Sequence, residues 1–466
     1  IIEKDIEEMS EYVTIHKKNF PTFSSRILQL YQMVCGAIDS VADEFCKMFH
    51  VDAKESFGMP NKINFILERF KNLKHWRCSI HDDIHIEPFE SALVIRCRVD
   101  GVLRQIMELP KSIEPALVSR IKILANLKID EHRIPQDGQF AVLVGDKEVD
   151  LRIATSPVVW GEQVVIRLLD KTGTTLDIEE MGMTGHALKM IERGIAMPNG
   201  MILTSGPTGS GKSTTLYALV KRIKSEKINI VTLEDPVEYK MDGVNQIQVN
   251  VDAGLTFASG LRSILRQDPD VVMVGEIRDA EKAALTGHVV FSTLHTNSAA
   301  GILPRLLDMG IEPFLLASTL NTVIGQRLVR RVAEKRTTIK STELETKQIN
   351  NDVGELLPDA QDKVASVSED LGFKGLPVRN DGGYTLVKGV DDKDNPGGYK
   401  GRAGIYETIA VDEDIQKLVI EHATSAEIMK VAKEKGTVTM KQDGVLKALS
   451  GVTTLEEVSR VASDLT

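Results

Sequence analysis

Hydrophobic and polar positions change their spacing along the chain, and each change predicts a different kind of element. Residues 1–58 place Ile27, Leu28, Leu30 and Tyr31 at mixed helical spacing and predict a helical N-terminal segment without an interpretable motif. Between 59 and 170 the pattern shortens. DDIHIEPFE and SALVIRCRVDG read as strands, with Val94, Ile95 and Val99 at strand positions. A helix-like LVSRIKILANLKI follows, and AVLVGDKEVDLRIAT and VVIRLLD read as further strands. That mixture predicts an α+β domain built on a sheet.

The polar, glycine-containing stretch DKTGTTLD punctuates the chain, and residues 171–177 are the expected linker. A second domain is expected over 178–466. It opens as helix (HALKMIERGI), strand (GMILTSG), helix (STTLYALVKRI), strand (INIVTLED) and strand (DVVMVGE). Strands alternating with helices in this way predict an α/β fold, a parallel sheet with helices on both faces. From about 332 to 400 the chain turns charged and less apolar, through EKRTTIKSTELETKQ and GYTLVKGVDDKDNPGGYKG, which reads as an insertion. Residues 401–466 are expected to form a helical subdomain, with capping boxes at Thr424-x-x-Glu427 and Thr454-x-x-Glu457.

Bulk properties narrow the function. The 466 residues carry a formal charge of −10 and 5% aromatics, which argues against a nucleic-acid motor with a basic groove. No apolar run approaches the length of a membrane span, and the opening IIEKDIEEM is acidic where a secretory leader is basic and then apolar. Cys35, Cys46, Cys78 and Cys97 form no C-x-x-C pair and read as free thiols of a reducing compartment, so the chemistry is expected in the cytoplasm.

The chemistry concentrates in one run: Gly206, Pro207, Thr208, Gly209, Ser210, Gly211, Lys212, Ser213 and then Thr214. It matches G-x-x-x-x-G-K-[ST] between an apolar strand and a helix, the context a phosphate-binding loop requires. Glycines allow backbone N–H groups to turn towards phosphate oxygens, and the helix N-terminus adds partial positive charge. Lys212 can reach the β- and γ-phosphates, and the Ser213 hydroxyl can ligate Mg²⁺. A ligand-free glycine turn is the bland alternative.

Two acidic clusters add hydrolysis to binding. Glu276 ends the apolar DVVMVGE and Glu234 ends INIVTLED, so both are expected at one edge of the sheet, where ligands of parallel sheets collect. One carboxylate is expected to orient the metal and the other to polarise the attacking water. Strand-end solvation or capping is the alternative for each. His288 and His295 flank the apolar VVFSTL and are candidate sensors of the γ-phosphate, although single histidines are more often satisfied core residues.

These residues resemble the secretion ATPases of type II secretion and type IV pilus assembly, over roughly residues 80–466. GPTGSGKSTTLYA is similar to the family's Walker A, LEDPVEY to its Asp box, RQDPDVVMVGEIRD to its Walker B and TGHVVFSTLHTNSA to its His box. DIHIEP with RCRVDGVL, PQDGQF with VDLRIAT, and GYKGRAGIYE are similar too. The resemblance implies a PAS-like domain before a RecA-like P-loop domain, a homohexamer, and Mg²⁺-dependent ATP hydrolysis. Glu234 would be the catalytic carboxylate, Glu276 the metal-side acid, and His288 and His295 the γ-phosphate sensors. Arg96 and Arg98 would approach the nucleotide from the first domain, although a solvated strand face explains their R-C-R alternation equally well.

The implied partners are an inner-membrane platform protein and a cytoplasmic or membrane recruiting protein, with the ATPase held at the cytoplasmic face of the membrane through them. The expected machine is an extending type IV pilus, with type II secretion as the alternative. A nucleotide-binding ring component with little turnover is the reading from another class. Two departures stand out. The family often carries zinc on two C-x-x-C pairs in its C-terminal domain; none is present here, so no zinc is expected and that subdomain must hold itself by packing. The stretch between Glu276 and Thr286 is also shorter than the family's, by about six residues, more than one and a half helical turns.

Overall fold

The computed structural model describes residues 83–99, 102–144, 147–170, 177–251, 253–277, 287–392 and 395–462. The helical reading of 1–58, three of the cysteines, most of the linker and nearly all of the shortened stretch after Glu276 lie outside the described residues. The chain divides into two compact units, Ile1–Gly173 with Asp392–Pro396, and Thr174–Asp391 with Gly397–Thr466.

In the first unit, β1 (Asp83–Pro88), β2 (Ala92–Val99), β3 (Val102–Pro110), β4 (Gln136–Val144), β5 (Lys147–Val158) and β6 (Gly161–Asp170) form one sheet in the order β3-β2-β1-β6-β5-β4. Every neighbouring pair is antiparallel. Buried and partly exposed positions alternate along β2, β5 and β6, as expected of an antiparallel sheet with a helix on one face. Ile84, Ile86, Leu93, Ile95, Cys97, Ile153 and Ile166 point to that face and pack with Leu117, Val118 and Ile121 of the helix Glu114–Leu124. Burial pushes the Cys97 thiol up to about 12. Period two then places Arg96 and Arg98 on the opposite face of β2.

The second unit is built on β7 (Gly200–Ser205), β8 (Ile230–Glu234), β9 (Asn245–Gln248), β10 (Val271–Val274), β11 (Val289–Leu294), β12 (Leu320–Val332) and β15 (Tyr399–Ala410). Their order is β15-β12-β7-β11-β10-β8-β9, parallel from β12 to β9, with β15 antiparallel at the edge. Strands β7, β8, β10 and β11 are buried along their whole length. Their apolar runs therefore do not alternate, as expected where helices cover both faces. Met201, Leu203, Val231, Leu233, Val272 and Val274 face the helices Phe257–Ile264 and Ile302–Asp308. Ile202, Ile230, Met273 and Phe291 face the helices Gly185–Ile195 and Lys212–Ile223.

The C-terminal region differs from its all-helical expectation. Residues 399–410 are β15, whose Ile405 and Ile409 are buried against β12, and only then do four helices follow: Glu413–Ile420, Ser425–Glu434, Met440–Leu449 and Leu455–Ala462. The Thr424/Glu427 capping box forms in both directions. At the second expected box the Glu457 N–H donates to Thr454 Oγ1 at 3.3 Å, while its carboxylate, fully buried, takes Arg330 and Arg460. The stretch read as an insertion contains the hairpin of β13 (Arg336–Lys340) and β14 (Thr385–Gly389) and the helices Glu343–Val353 and Val364–Leu371. Ile349, Val353, Leu376 and Tyr384 pack there against Leu446, Leu449 and Val458, a core of ordinary apolar composition.

Candidate nucleotide site

β7 leaves the sheet at Ser205 and passes through Gly206–Gly211 into the helix Lys212–Ile223. Gly206 has φ +153, and a Cβ there would stand 2.4 Å from the Gln326 carbonyl oxygen, so the loop passes too close to β12 for any side chain. Gly209 sits at φ +77 with nothing within 4 Å of an added Cβ, so the loop tip with Pro207 and Thr208 borders open space. Ser210 is buried, and its hydroxyl has no hydrogen-bond partner. Lys212 lies across the loop mouth, donating to the Gly206 carbonyl at 2.7 Å and the Pro207 carbonyl at 3.2 Å. Burial lowers its pKa, and the nearby charge of Glu276 opposes that shift. Ser213 and Thr214 follow in the helix's first turn, Ser213 exposed and Thr214 half-buried.

Register brings the acidic residues to the same edge. Ser205 pairs with Leu294, Ser292 with Val274 and Val274 with Leu233, so Gly206, His295, Glu276 and Glu234 all leave the C-terminal ends of neighbouring strands. His295 Nε2 lies 3.6 Å from Glu276 Oε1. Glu234 is 4% exposed, deeper than a strand-end carboxylate in water. It accepts from Thr232 Oγ1 at 2.5 Å, from Gln246 Nε2 at 3.2 Å and from the Tyr217 hydroxyl. Burial raises its pKa above the ordinary carboxylate range, and those three hydrogen bonds pull it back down.

His288 is not part of this cluster. It precedes Val289, which pairs with Gly200, so it stands at the N-terminal end of β11, and its carbonyl accepts from the Gly200 N–H at 2.9 Å. The six residues of β11 lie between it and His295, seven steps or about 23 Å at the usual rise. Its Nδ1 is buried without a partner. The two histidines look alike in sequence because each flanks the same apolar strand, yet a strand has two ends and only one carries the loop.

Arg96 and Arg98 belong to the first unit. Arg96 makes a bidentate pair with Glu87 on β1, Nε to Oε2 and Nη2 to Oε1, both at 2.6 Å. That pair raises the guanidinium's pKa further. Sequence reasoning missed Tyr217, Thr232, Gln246 and Gln326. The visible signal for the last was a glutamine inside the apolar NTVIGQRLV.

The donor set suits a hard divalent cation. Ser213 and Glu276 offer oxygen at the loop's mouth, and among the described residues no group of three or more His, Cys, Asp or Glu could hold a metal. Mg²⁺ keeps waters and takes phosphate oxygens, so one hydroxyl and one carboxylate are a fitting protein share.

A Gly-rich loop with its lysine, at the C-terminal edge of a parallel sheet and beside two strand-end glutamates, defines a P-loop NTPase of RecA-like type. The chain belongs to the type II/IV secretion system protein family, whose model matches residues 71–460. It is 46% identical over 389 residues to the type II secretion system protein E of Dickeya dadantii, covering 82% of this chain and 72% of that protein. To the type IV pilus assembly ATPase PilB of Myxococcus xanthus it is 43% identical over 385 residues, covering 81% and 64%. The Legionella pneumophila ATPase DotB shares the fold, with a TM-score of 0.56 at 21% identity over 89% of this chain and 98% of that one.

Proposed function

We propose that this chain hydrolyses ATP to ADP and phosphate, with Mg²⁺, as the subunit of a homohexameric motor that extends a filament of pilin-like subunits. The observation that carries the reading is the gathering of Lys212, Glu276, His295 and Glu234 at one sheet edge. Amides of the loop and Lys212 bind the phosphates, in place of the carbonyls that Lys212 now contacts. Ser213 and Glu276 would hold Mg²⁺, which supplies neutralisation of charge on the β- and γ-phosphate oxygens. Glu234 accepts the proton of the attacking water, a role its burial favours by raising its basicity. His295 reports on the γ-phosphate through Glu276.

A cation brought from the first domain of the same or a neighbouring subunit would complete the charge balance, with Arg96 and Arg98 as candidates. Such a cation is worth about 10³ to 10⁵ in rate for NTPases generally. The motor acts at the cytoplasmic face of the inner membrane, held there by a platform protein and a recruiting protein. Relatives named for pilus assembly and for type II secretion match the same region, so the proposal rests on the step they would share; pilus extension is our first assignment.

The test is steady-state ATP hydrolysis by the purified chain beside Lys212→Ala and Glu234→Gln, with particle mass by light scattering. Turnover that needs Mg²⁺, in a particle of six chains, lost in both variants, supports the motor. Tight ATP binding without turnover leaves a nucleotide-gated ring component and overturns it. Restoration of pili or of secreted enzyme in deletion strains then separates the two machines.

A further inference from the structure

Gln326 lies in the middle of β12, one strand away from the loop-bearing β7, and is 1% exposed. Both ends of its amide are engaged. Nε2 donates to the Ser210 carbonyl at 2.7 Å, and Oε1 accepts from the Thr215 hydroxyl at 2.7 Å. Its backbone carbonyl is the atom that excludes a side chain from Gly206. One residue therefore touches the phosphate loop at its first and fifth positions and the following helix in its first turn.

The chemistry is specific to an amide. Ser210 presents an acceptor and Thr215 supplies a donor, so the partner must donate at one end and accept at the other. A carboxylate would set charge against a carbonyl, and an aliphatic chain would leave two buried polar groups unpaired. We infer that Gln326 is the positioning residue of the phosphate loop: it fixes Ser210 and Thr215 so that the amides between them converge on one phosphate group. The inference deepens the proposed function and rests on the loop binding nucleotide. Gln326 touches no phosphate itself and acts through the loop.

The experiment is an equilibrium titration of fluorescent ADP with Mg²⁺ on the full chain, with thermal melting of the same samples. Wild type is compared with Gln326→Leu, Thr215→Val and Thr215→Ser. Gln326→Leu and Thr215→Val are expected to weaken ADP binding tenfold or more, while Thr215→Ser, which keeps the hydroxyl, binds like wild type. Equal affinity in Gln326→Leu and wild type overturns the inference. So does a Thr215→Ser variant as weak as Thr215→Val, since the effect would then follow packing and not the hydrogen bond. Should Gln326→Leu fail to fold, the Thr215 pair decides alone. Wild type that binds no ADP removes the nucleotide reading instead, an outcome the titration separates from the others.

Discussion

The Tyr217 hydroxyl donates to the buried carboxylate of Glu234 and itself accepts from the Glu238 N–H at 3.2 Å. Its ring lies 4.2 Å, centroid to centroid, from that of Tyr239. Tyr217 is thus pinned from both ends, and with it the direction in which Glu234 presents its oxygens. Tyr217→Phe keeps the ring and removes the donor. A hydrogen bond to a charged group is worth about 1.5–3 kcal/mol, so turnover should fall by about one to two orders of magnitude while ADP affinity holds. Because the hydroxyl lowers the Glu234 pKa against the pull of burial, its loss moves the acid limb of the pH–rate profile to higher pH. An unmoved limb would show that Tyr217 only packs.

Glu234→Gln should reduce turnover by about 10²–10⁴, the range of general-base catalysis, with nucleotide binding retained. Its stability has a sign that can be worked out. Burial raises the folded-state pKa of Glu234, so folding stability is full below the unfolded pKa and falls as pH rises through the folded one. The glutamine variant escapes that fall. Its melting temperature relative to wild type should therefore climb between mildly acidic and alkaline pH, and a flat difference would contradict the assignment.

The two histidines separate cleanly by experiment. His295→Ala removes the partner 3.6 Å from Glu276 and should lower kcat. His288→Ala acts at the opposite strand end and should leave kcat near wild type, with whatever effect it has read in the melting temperature. Equal losses of kcat would contradict the placement of the nucleotide at the loop-bearing edge alone.

Chelation should distinguish the catalytic metal from a structural one. EDTA is expected to stop ATP turnover and to leave the melting curve unchanged, because the stretch read as a zinc-free insertion is held by Ile349, Leu376, Tyr384 and Leu446. Leu446→Ala, at a fully buried position, should cost about 2–5 kcal/mol by denaturant unfolding. A melting temperature that drops on chelation would mean a structural metal after all.

Arg98→Ala should lower kcat by about 10³ or more while leaving ADP affinity intact, if the first domain supplies a cation to the nucleotide. Arg96 makes the subtler case, since its guanidinium is already held by Glu87. Arg96→Lys keeps the charge and loses the bidentate geometry, so a kcat below wild type would assign the work to the fork and not the charge. Single-turnover hydrolysis in each variant gives the answer.

Local signals carried much of this protein. The glycine-rich loop from Gly206 to Ser213 is legible because its pattern is complete within eight consecutive positions. The same holds for strands that are apolar on both faces and for the Thr424 capping box, whose partner is three residues away. Glu234 and Glu276 were readable as strand ends. What only the tertiary structure decided depends on which strands lie side by side. Neighbours in space set the burial of Glu234 under Tyr217, the clamp of Gln326 on a loop 116 residues earlier, and the place of β15 as an edge strand where helix was expected. Strand order also separated His295 from His288. Periodicity marks which residues are buried, but the edge at which a side chain emerges follows from strand direction, and direction is fixed only when the sheet assembles.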